Sequence, residues 1–133
     1  RMMKAKAILE SVLYAEDLES TEKFYTEVLG LDVYSKDSYY IFFRLDKGML
    51  LIFDKKNTTQ QGALPQHGTE SNGHLAFTMQ LSEIDDWRVQ LQNHNIKIEK
   101  EQSWGNRAFS FYFRDPAGNS IELATPNLWE FKT

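Results

Sequence analysis

Apolar and polar positions alternate from the start of the chain. Ile8, Glu10, Val12 and Tyr14 fall on one face and Leu9, Ser11, Leu13 and Ala15 on the other, which predicts a strand over 4–15. The period then changes. Leu18, Thr21, Phe24, Tyr25, Val28 and Leu29 recur at spacings of three and four, the stripe of an amphipathic helix. Asp17 is its expected N-cap, and Gly30 the residue just past its end. Strands are predicted at 31–34, 39–44 and 49–53, with Asp46-Lys47-Gly48 as a turn. The first half therefore reads βαβββ.

Residues 54–72 are polar and aperiodic, with Gly62, Pro65 and Gly68, and read as a connecting loop or a functional lid. The earlier order then returns. A strand is predicted at 73–79. A helix capped by Ser82, with Asp85 three residues on, has Ile84, Trp87, Val89 and Leu91 on its apolar side and ends at Asn93-His94-Asn95. Strands follow at 96–98, 108–114 and 120–124, the last two joined by Asp115-Pro116-Ala117-Gly118-Asn119. Phe42-Phe43-Arg44 before Asp46-Lys47-Gly48 echoes Tyr112-Phe113-Arg114 before Asp115-Pro116-Ala117-Gly118, and Leu18 and Phe24 correspond to Leu81 and Trp87. Such internal similarity predicts a duplication. The expected class is α+β: two tandem βαβββ modules whose curved mixed sheets surround a cleft, with the helices outside. Module one covers about 4–54, a linker 55–72, module two 73–126 and a tail 127–133, all within one domain. Leu128, Trp129 and Phe131 in the tail are expected to pack on this domain or on a partner.

Composition narrows the function. The 133 residues are 41% hydrophobic and 26% charged, ordinary for a globular domain, and 14% aromatic, enough to fill a core. A net charge of −4 does not indicate a nucleic-acid or anionic-membrane partner. No apolar run approaches a membrane span, no secretory h-region stands near the start, and a cytoplasmic location is expected. Cysteine is absent, which excludes a thiol nucleophile of the chain's own. Arg1 ahead of Met2-Met3 reads as an expression remnant. Gly-rich phosphate loops, GxSxG and HExxH motifs are absent.

Equivalent strands of the two modules should put equivalent residues in the cleft. The first strands offer Glu10 and His74, and the last strand of module two offers Glu122. Its counterpart in 50–52 holds only Leu and Ile. Ala76 and Thr78 share a face with His74, and Ser120 and Ala124 share one with Glu122. Small residues around a buried carboxylate leave a space that a core would fill. Two carboxylates and an imidazole without a counter-charge are costly to bury, and a divalent cation resolves the cost. One nitrogen and two carboxylate donors suit Mn, Fe(II), Ni, Zn or Mg better than Cu(I), and three ligands leave positions open. Each residue also has a plain reading. His74 can be a hydrogen-bonded core histidine, and Glu10 can pair with Lys4, Lys6 or an arginine. His67 is either a solvated loop residue or a fourth ligand or acid/base group carried by the loop. Arg44, Arg107 and Arg114 make structural ion pairs or hold an anionic substrate group. Trp104 is a substrate-facing wall or a loop anchor. Tyr112 is core or a hydrogen-bond donor to substrate.

The stretches Asp17-Leu18 to Phe24-Tyr25 and Val28-Leu29-Gly30-Leu31, Gly73-His74-Leu75-Ala76-Phe77, and Arg114-Asp115-Pro116-Ala117-Gly118-Asn119-Ser120-Ile121-Glu122-Leu123 resemble the vicinal oxygen chelate superfamily. That superfamily includes glyoxalase I, fosfomycin-resistance thiol transferases, extradiol dioxygenases and bleomycin-binding proteins. The resemblance covers nearly the whole chain. It implies paired βαβββ modules, a divalent metal, a small oxygen-rich substrate that chelates it, and a homodimer. His74 and Glu122 fall on metal-ligand positions, and Glu10 on the first-strand position usually held by His or Gln. Loss of the ligand in 50–52 argues against a standard glyoxalase I, and Glu10 departs from the two-histidine set of the dioxygenases. The residues and the resemblance together are read as a glyoxalase-like metalloenzyme of lyase, isomerase or transferase type; the residue reading itself makes Glu10, Glu122 and His67 candidate proton carriers and Arg44, Trp104, Arg107 and Tyr112 candidate substrate contacts. An extradiol-type dioxygenase and a non-enzymatic small-molecule binding or resistance protein are the alternatives.

Overall fold

The computed structural model describes residues 2–56 and 67–133, so most of the expected linker, 57–66, lies outside the described residues. The chain divides into two compact units, one ending at Glu70 and the other starting at Ser71.

The first unit contains β1 (Glu10–Ala15), α1 (Leu18–Lys23) continued by a π-helical turn at Phe24–Val28, β2 (Asp32–Lys36), β3 (Tyr40–Leu45) and β4 (Gly48–Asp54). β1 begins at Glu10, so the strand expected from residue 4 is shorter by six residues. Asp17 caps α1 as expected, its carboxylate accepting from Glu19 N at 3.1 Å and Ser20 N at 3.4 Å. Gly30 has φ +72° and lets Leu31 N donate back to Tyr25 O at 2.9 Å, which closes the helix. The sheet order is β1-β4-β3-β2, with β1 and β4 parallel. Leu13, Ala15, Leu50, Ile52, Ile41 and Phe43 are buried on one face with Tyr25 and Val28 of the helix. Each large side chain buried here contributes roughly 1.5–3 kcal/mol.

The second unit contains β5 (His74–Thr78), α2 (Ile84–Asn93), β6 (Lys100–Ser103), β7 (Phe109–Arg114) and β8 (Ser120–Ala124), with single helical turns at Leu81–Glu83 and Pro126–Trp129. Its sheet order, β5-β8-β7-β6 with β5 and β8 parallel, repeats that of the first unit. Each unit is thus a four-stranded mixed sheet with a helix on one face, the expected α+β class. Phe111, Phe113, Ile121 and Leu123 are buried with Leu91 of α2, and the Arg88 guanidinium lies 5.2 Å above the Phe111 ring.

Three local expectations are corrected. Ser82 is not the cap of α2. Gln80 and Glu83 form the capping box, with Gln80 N donating to the Glu83 carboxylate at 2.7 Å. Val89, expected on the apolar side, is exposed. Ile96–Ile98 is not a strand, because Ile96 N donates to Leu91 O at 2.9 Å and closes the helix instead.

The turn before β8 also holds β5. Asp115 and Asn119 are buried polar residues that bond each other, Asn119 N donating to Asp115 Oδ1 at 2.8 Å. Asn119 Oδ1 accepts from Gly73 N at 2.8 Å, and Ser120 N donates to Gly73 O at 2.9 Å. The start of β5 is therefore clamped beside the start of β8. Gly118 sits at φ +90°, and a Cβ there would lie 3.0 Å from Asn72 Nδ2.

Candidate functional site

The clamp sets the register His74↔Ser120, Ala76↔Glu122 and Thr78↔Ala124, and β7 adds Tyr112↔Glu122 and Ser110↔Ala124. With a two-residue period these side chains share the sheet face away from α2. His74 and Glu122 meet there, with Nε2 to Oε1 at 3.3 Å. The His74 side chain is 52% exposed and that of Glu122 only 7%.

Each partner is held from behind. Nδ1 of His74 lies 3.0 Å from the Ser120 carbonyl, which can only accept, so Nδ1 carries a hydrogen. Nε2 is then aimed at Glu122 with either a lone pair or a second proton. The other carboxylate oxygen, Oε2, accepts from the Ser110 hydroxyl at 2.6 Å, and Ser110 Oγ in turn accepts from Trp104 Nε1 at 3.0 Å. The Tyr112 ring stacks on the imidazole at a 6.4 Å centroid distance and 21°. Burial, then the Glu122 charge and a hydrogen bond to it, push the Tyr112 hydroxyl above its ordinary value of 10.0, so the phenol stays protonated at neutral pH.

A cavity of about 470 Å³ opens beside this pair. Ala76, Thr78 and Ala124 leave its floor low, while Phe77, Trp104 and Tyr112, with Leu128, Trp129 and Phe131 beyond β8, form its walls. Trp104 thus lines the cavity while its N–H bonds inward. Ser110 was not singled out in the sequence. Its signal is a lone hydroxyl in Phe109-Ser110-Phe111-Tyr112-Phe113, one strand alternation from Tyr112.

The other predicted residues stand elsewhere. Glu10 is exposed at the start of β1 in the first unit, opposite Met49. Topology identifies Leu51, which pairs with Val12 as Glu122 pairs with Ala76, as the first unit's counterpart of Glu122. Phe42, opposite Leu51, is the counterpart of Tyr112. At the position of Glu122 that face of the first sheet is therefore apolar, while the position of His74 holds Glu10. Among the described residues no three His, Cys, Asp or Glu side chains come together as a metal-holding group. His67, also in the first unit, accepts or donates at Nδ1 with the Tyr14 hydroxyl at 2.5 Å, and its ring packs edge-on to Phe53. Arg44 stacks on Tyr34 at 5.6 Å. Arg114 is engaged by Glu99 and by Gly118 O, each at 3.0 Å. Arg107 lines a separate polar depression with Asn127 and Lys132. Neither Arg107 nor Arg114 is among the cavity's lining residues. Among the described residues no helix is long and apolar enough to cross a membrane.

Comparison with known proteins agrees with this architecture. The crystal structure of lactoylglutathione lyase from Agrobacterium tumefaciens superposes with a TM-score of 0.92 at 36% identity, covering 97% of this chain and 100% of that one. Metallothiol transferase FosB of Staphylococcus epidermidis is 26% identical over 125 residues, 92% of this chain and 86% of that protein. Glutathione transferase FosA of Serratia marcescens is 27% identical over 116 residues, 87% of this chain and 78% of that protein. The sequence model of the Glyoxalase/Bleomycin resistance protein/Dioxygenase superfamily matches residues 7–123, and the chain belongs to that superfamily.

Proposed function

We propose that the His74–Glu122 face is part of a divalent-metal site serving a lyase or transferase reaction on a small oxygen-bearing molecule. One observation carries the reading. The Ser120 carbonyl fixes one hydrogen of His74 on Nδ1, which leaves Nε2 facing the Glu122 carboxylate at 3.3 Å. Two acceptors at that separation need a cation between them, either a proton or a metal. The donor set, one imidazole nitrogen and one carboxylate, fits a divalent ion of the Mn, Fe(II), Ni, Zn or Mg group. Glu10 is the proposed third ligand. When bound, such an ion supplies Lewis acidity toward a substrate oxygen.

The chain's own residues do the rest. Ser110 orients the Glu122 carboxylate through Oε2 and leaves Oε1 for its partner. Tyr112, kept protonated by burial and the neighbouring charge, gives its one hydrogen to the Glu122 carboxylate and leaves its oxygen as an acceptor for a substrate hydroxyl. The relatives named for thiol transfer and for lactoylglutathione support this reaction class. The chain has no cysteine, so the thiol of such a reaction comes from the substrate side. A homodimer is proposed with the reading, by analogy with the family.

Calorimetric titration of metal-stripped protein with Mn²⁺, Ni²⁺ and Zn²⁺ tests it. Saturable binding weakened at least tenfold by His74→Ala and by Glu122→Gln is expected, and Glu10→Gln should weaken it too. Binding indifferent to His74→Ala and Glu122→Gln, or none at all, would sink the proposal, because the cation would then be a proton. Light scattering reads the oligomeric state.

A further inference from the structure

The cavity beside His74 and Glu122 is uneven in its chemistry. Its polar groups converge at one end, where Glu122 is the buried charge and Tyr112 presents a hydroxyl. Apart from Thr78 and Thr125, the rest is aromatic and apolar. Trp104 has spent its one polar atom on Ser110, so the ring surface left to the cavity has no hydrogen-bonding demand. Trp129 and Phe131 are 75% and 71% exposed, large apolar rings that solvent does not favour. They lie beyond residues 7–123, the stretch matched by the superfamily model.

The wall is also built rather than trailing. Phe131 N donates to Pro126 O and Leu128 N to Thr125 O, both at 3.1 Å. Asn127 Nδ2 donates to Asn106 O at 2.8 Å, tying the tail's turn to the Trp104–Arg107 turn. Both indoles are therefore carried on one linked pair of turns. The volume, about 470 Å³, lies within the roughly 300–1,000 Å³ usual for small-molecule sites. Glu122 is the cavity's buried charge, and no lysine or arginine is among its described lining residues. An anionic ligand would meet that carboxylate without a compensating cationic side chain, whereas a hydroxyl can donate to it.

We propose that this cavity selects a flat, uncharged aromatic ligand, its rings against Trp104, Trp129 and Phe131 and a hydroxyl at the Glu122 end. The proposal deepens the reading of that end as the reactive one, but ring binding needs no metal, so the two fail separately.

The probes are 2-naphthol and its anionic counterpart naphthalene-2-sulfonate, added at neutral pH to metal-free and to Zn²⁺-loaded protein. The readout is the indole N–H signals of Trp87, Trp104 and Trp129 in nitrogen-15 spectra, assigned by single Trp→Phe variants. 2-Naphthol should shift Trp104 and Trp129 saturably and leave Trp87, on α2, in place. In the metal-free protein the sulfonate should bind at least tenfold more weakly. Trp129→Ala and Phe131→Ala change exposed residues and should each weaken 2-naphthol at least fivefold. Ala76→Leu, which fills the floor, should abolish binding with the spectrum otherwise retained. The proposal is overturned by equal or tighter binding of the sulfonate to the metal-free protein, by no shift at the solubility limit of 2-naphthol, or by Trp87 moving with the others. It is overturned equally if Trp129 shifts with protein concentration alone, since a second copy would then occupy the wall. Loss of metal binding with retained 2-naphthol binding would strike the metal reading and leave this one standing.

Discussion

Ser110→Ala isolates the support behind the Glu122 carboxylate. The wild-type hydroxyl is fully buried and donates to Oε2 at 2.6 Å, a short bond to a charged acceptor. Hydrogen bonds to charged groups contribute about 1.5–3 kcal/mol, and truncation leaves a buried oxygen without its donor. Trp104 also loses its acceptor, but the indole is 41% exposed and water can replace the partner at little cost. The expected loss is therefore about 1.5–3 kcal/mol, a ten- to hundredfold change in the folding equilibrium. All three tryptophans, Trp87, Trp104 and Trp129, belong to the second unit, so tryptophan emission in a urea titration follows the unit that holds the bond. With a slope of about 1–3 kcal/mol per molar urea, the midpoint should fall by roughly 1 M at unchanged slope. Glu122→Gln turns the same contact into a neutral bond of about 0.5–1.5 kcal/mol, so the double variant should show a coupling of about 1 kcal/mol. Trp104→Phe, which keeps a ring but loses the N–H, should cost less than Ser110→Ala. A Ser110→Ala loss under about 0.5 kcal/mol, zero coupling to Glu122, or a greater loss from Trp104→Phe would refute the relay from indole through hydroxyl to carboxylate.

Two further outcomes are expected at the same face. In ultraviolet titration Tyr112 should ionise above 10.0, and Glu122→Gln should move it downward by removing the neighbouring charge, though burial keeps part of the shift. Its folded value lies above its unfolded one. The stability it contributes is therefore whole below pH 10.0 and lost as pH rises through the folded value, so alkaline unfolding should steepen there and Tyr112→Phe should blunt it. Asn119→Ala removes the acceptor of Gly73 N and should cost about 1–3 kcal/mol by urea unfolding. The same variant should shift the His74 imidazole signals, because the clamp sets that residue's register.

The strands that carry the second unit's polar face were legible for a physical reason. In β8, Ile121 and Leu123 are buried towards α2 and alternate with Ser120, Glu122 and Ala124, so a period of two fixes both the element and its faces. β7 is one residue shorter than expected. β6 was misplaced by its composition. Ile96 and Ile98 have the side chains of a strand, yet the ladder forms at Lys100–Ser103, a polar edge whose position is set by pairing with Phe109–Tyr112. The convergence of His74 and Glu122 could be read from alternation, but Ser110 could not be given its role without the β7–β8 register. The arginines left two readings open for a related reason: charge is visible in a sequence, whereas the partners Glu99 and Gly118 O, which give Arg114 the structural one, are set by the fold.

The parallel pairing of β5 with β8 has a kinetic consequence. Gly73 and Asn119, and His74 and Ser120, meet across 46 residues of chain. Closing a flexible loop of that length costs about 3 kcal/mol in chain entropy before any contact repays it. The β7–β8 hairpin, joined by a five-residue turn, faces no such barrier. Denaturant jumps on Asn119→Ala should therefore mainly speed unfolding and leave the folding limb nearly unchanged, with the imidazole brought to its carboxylate as the last strand docks.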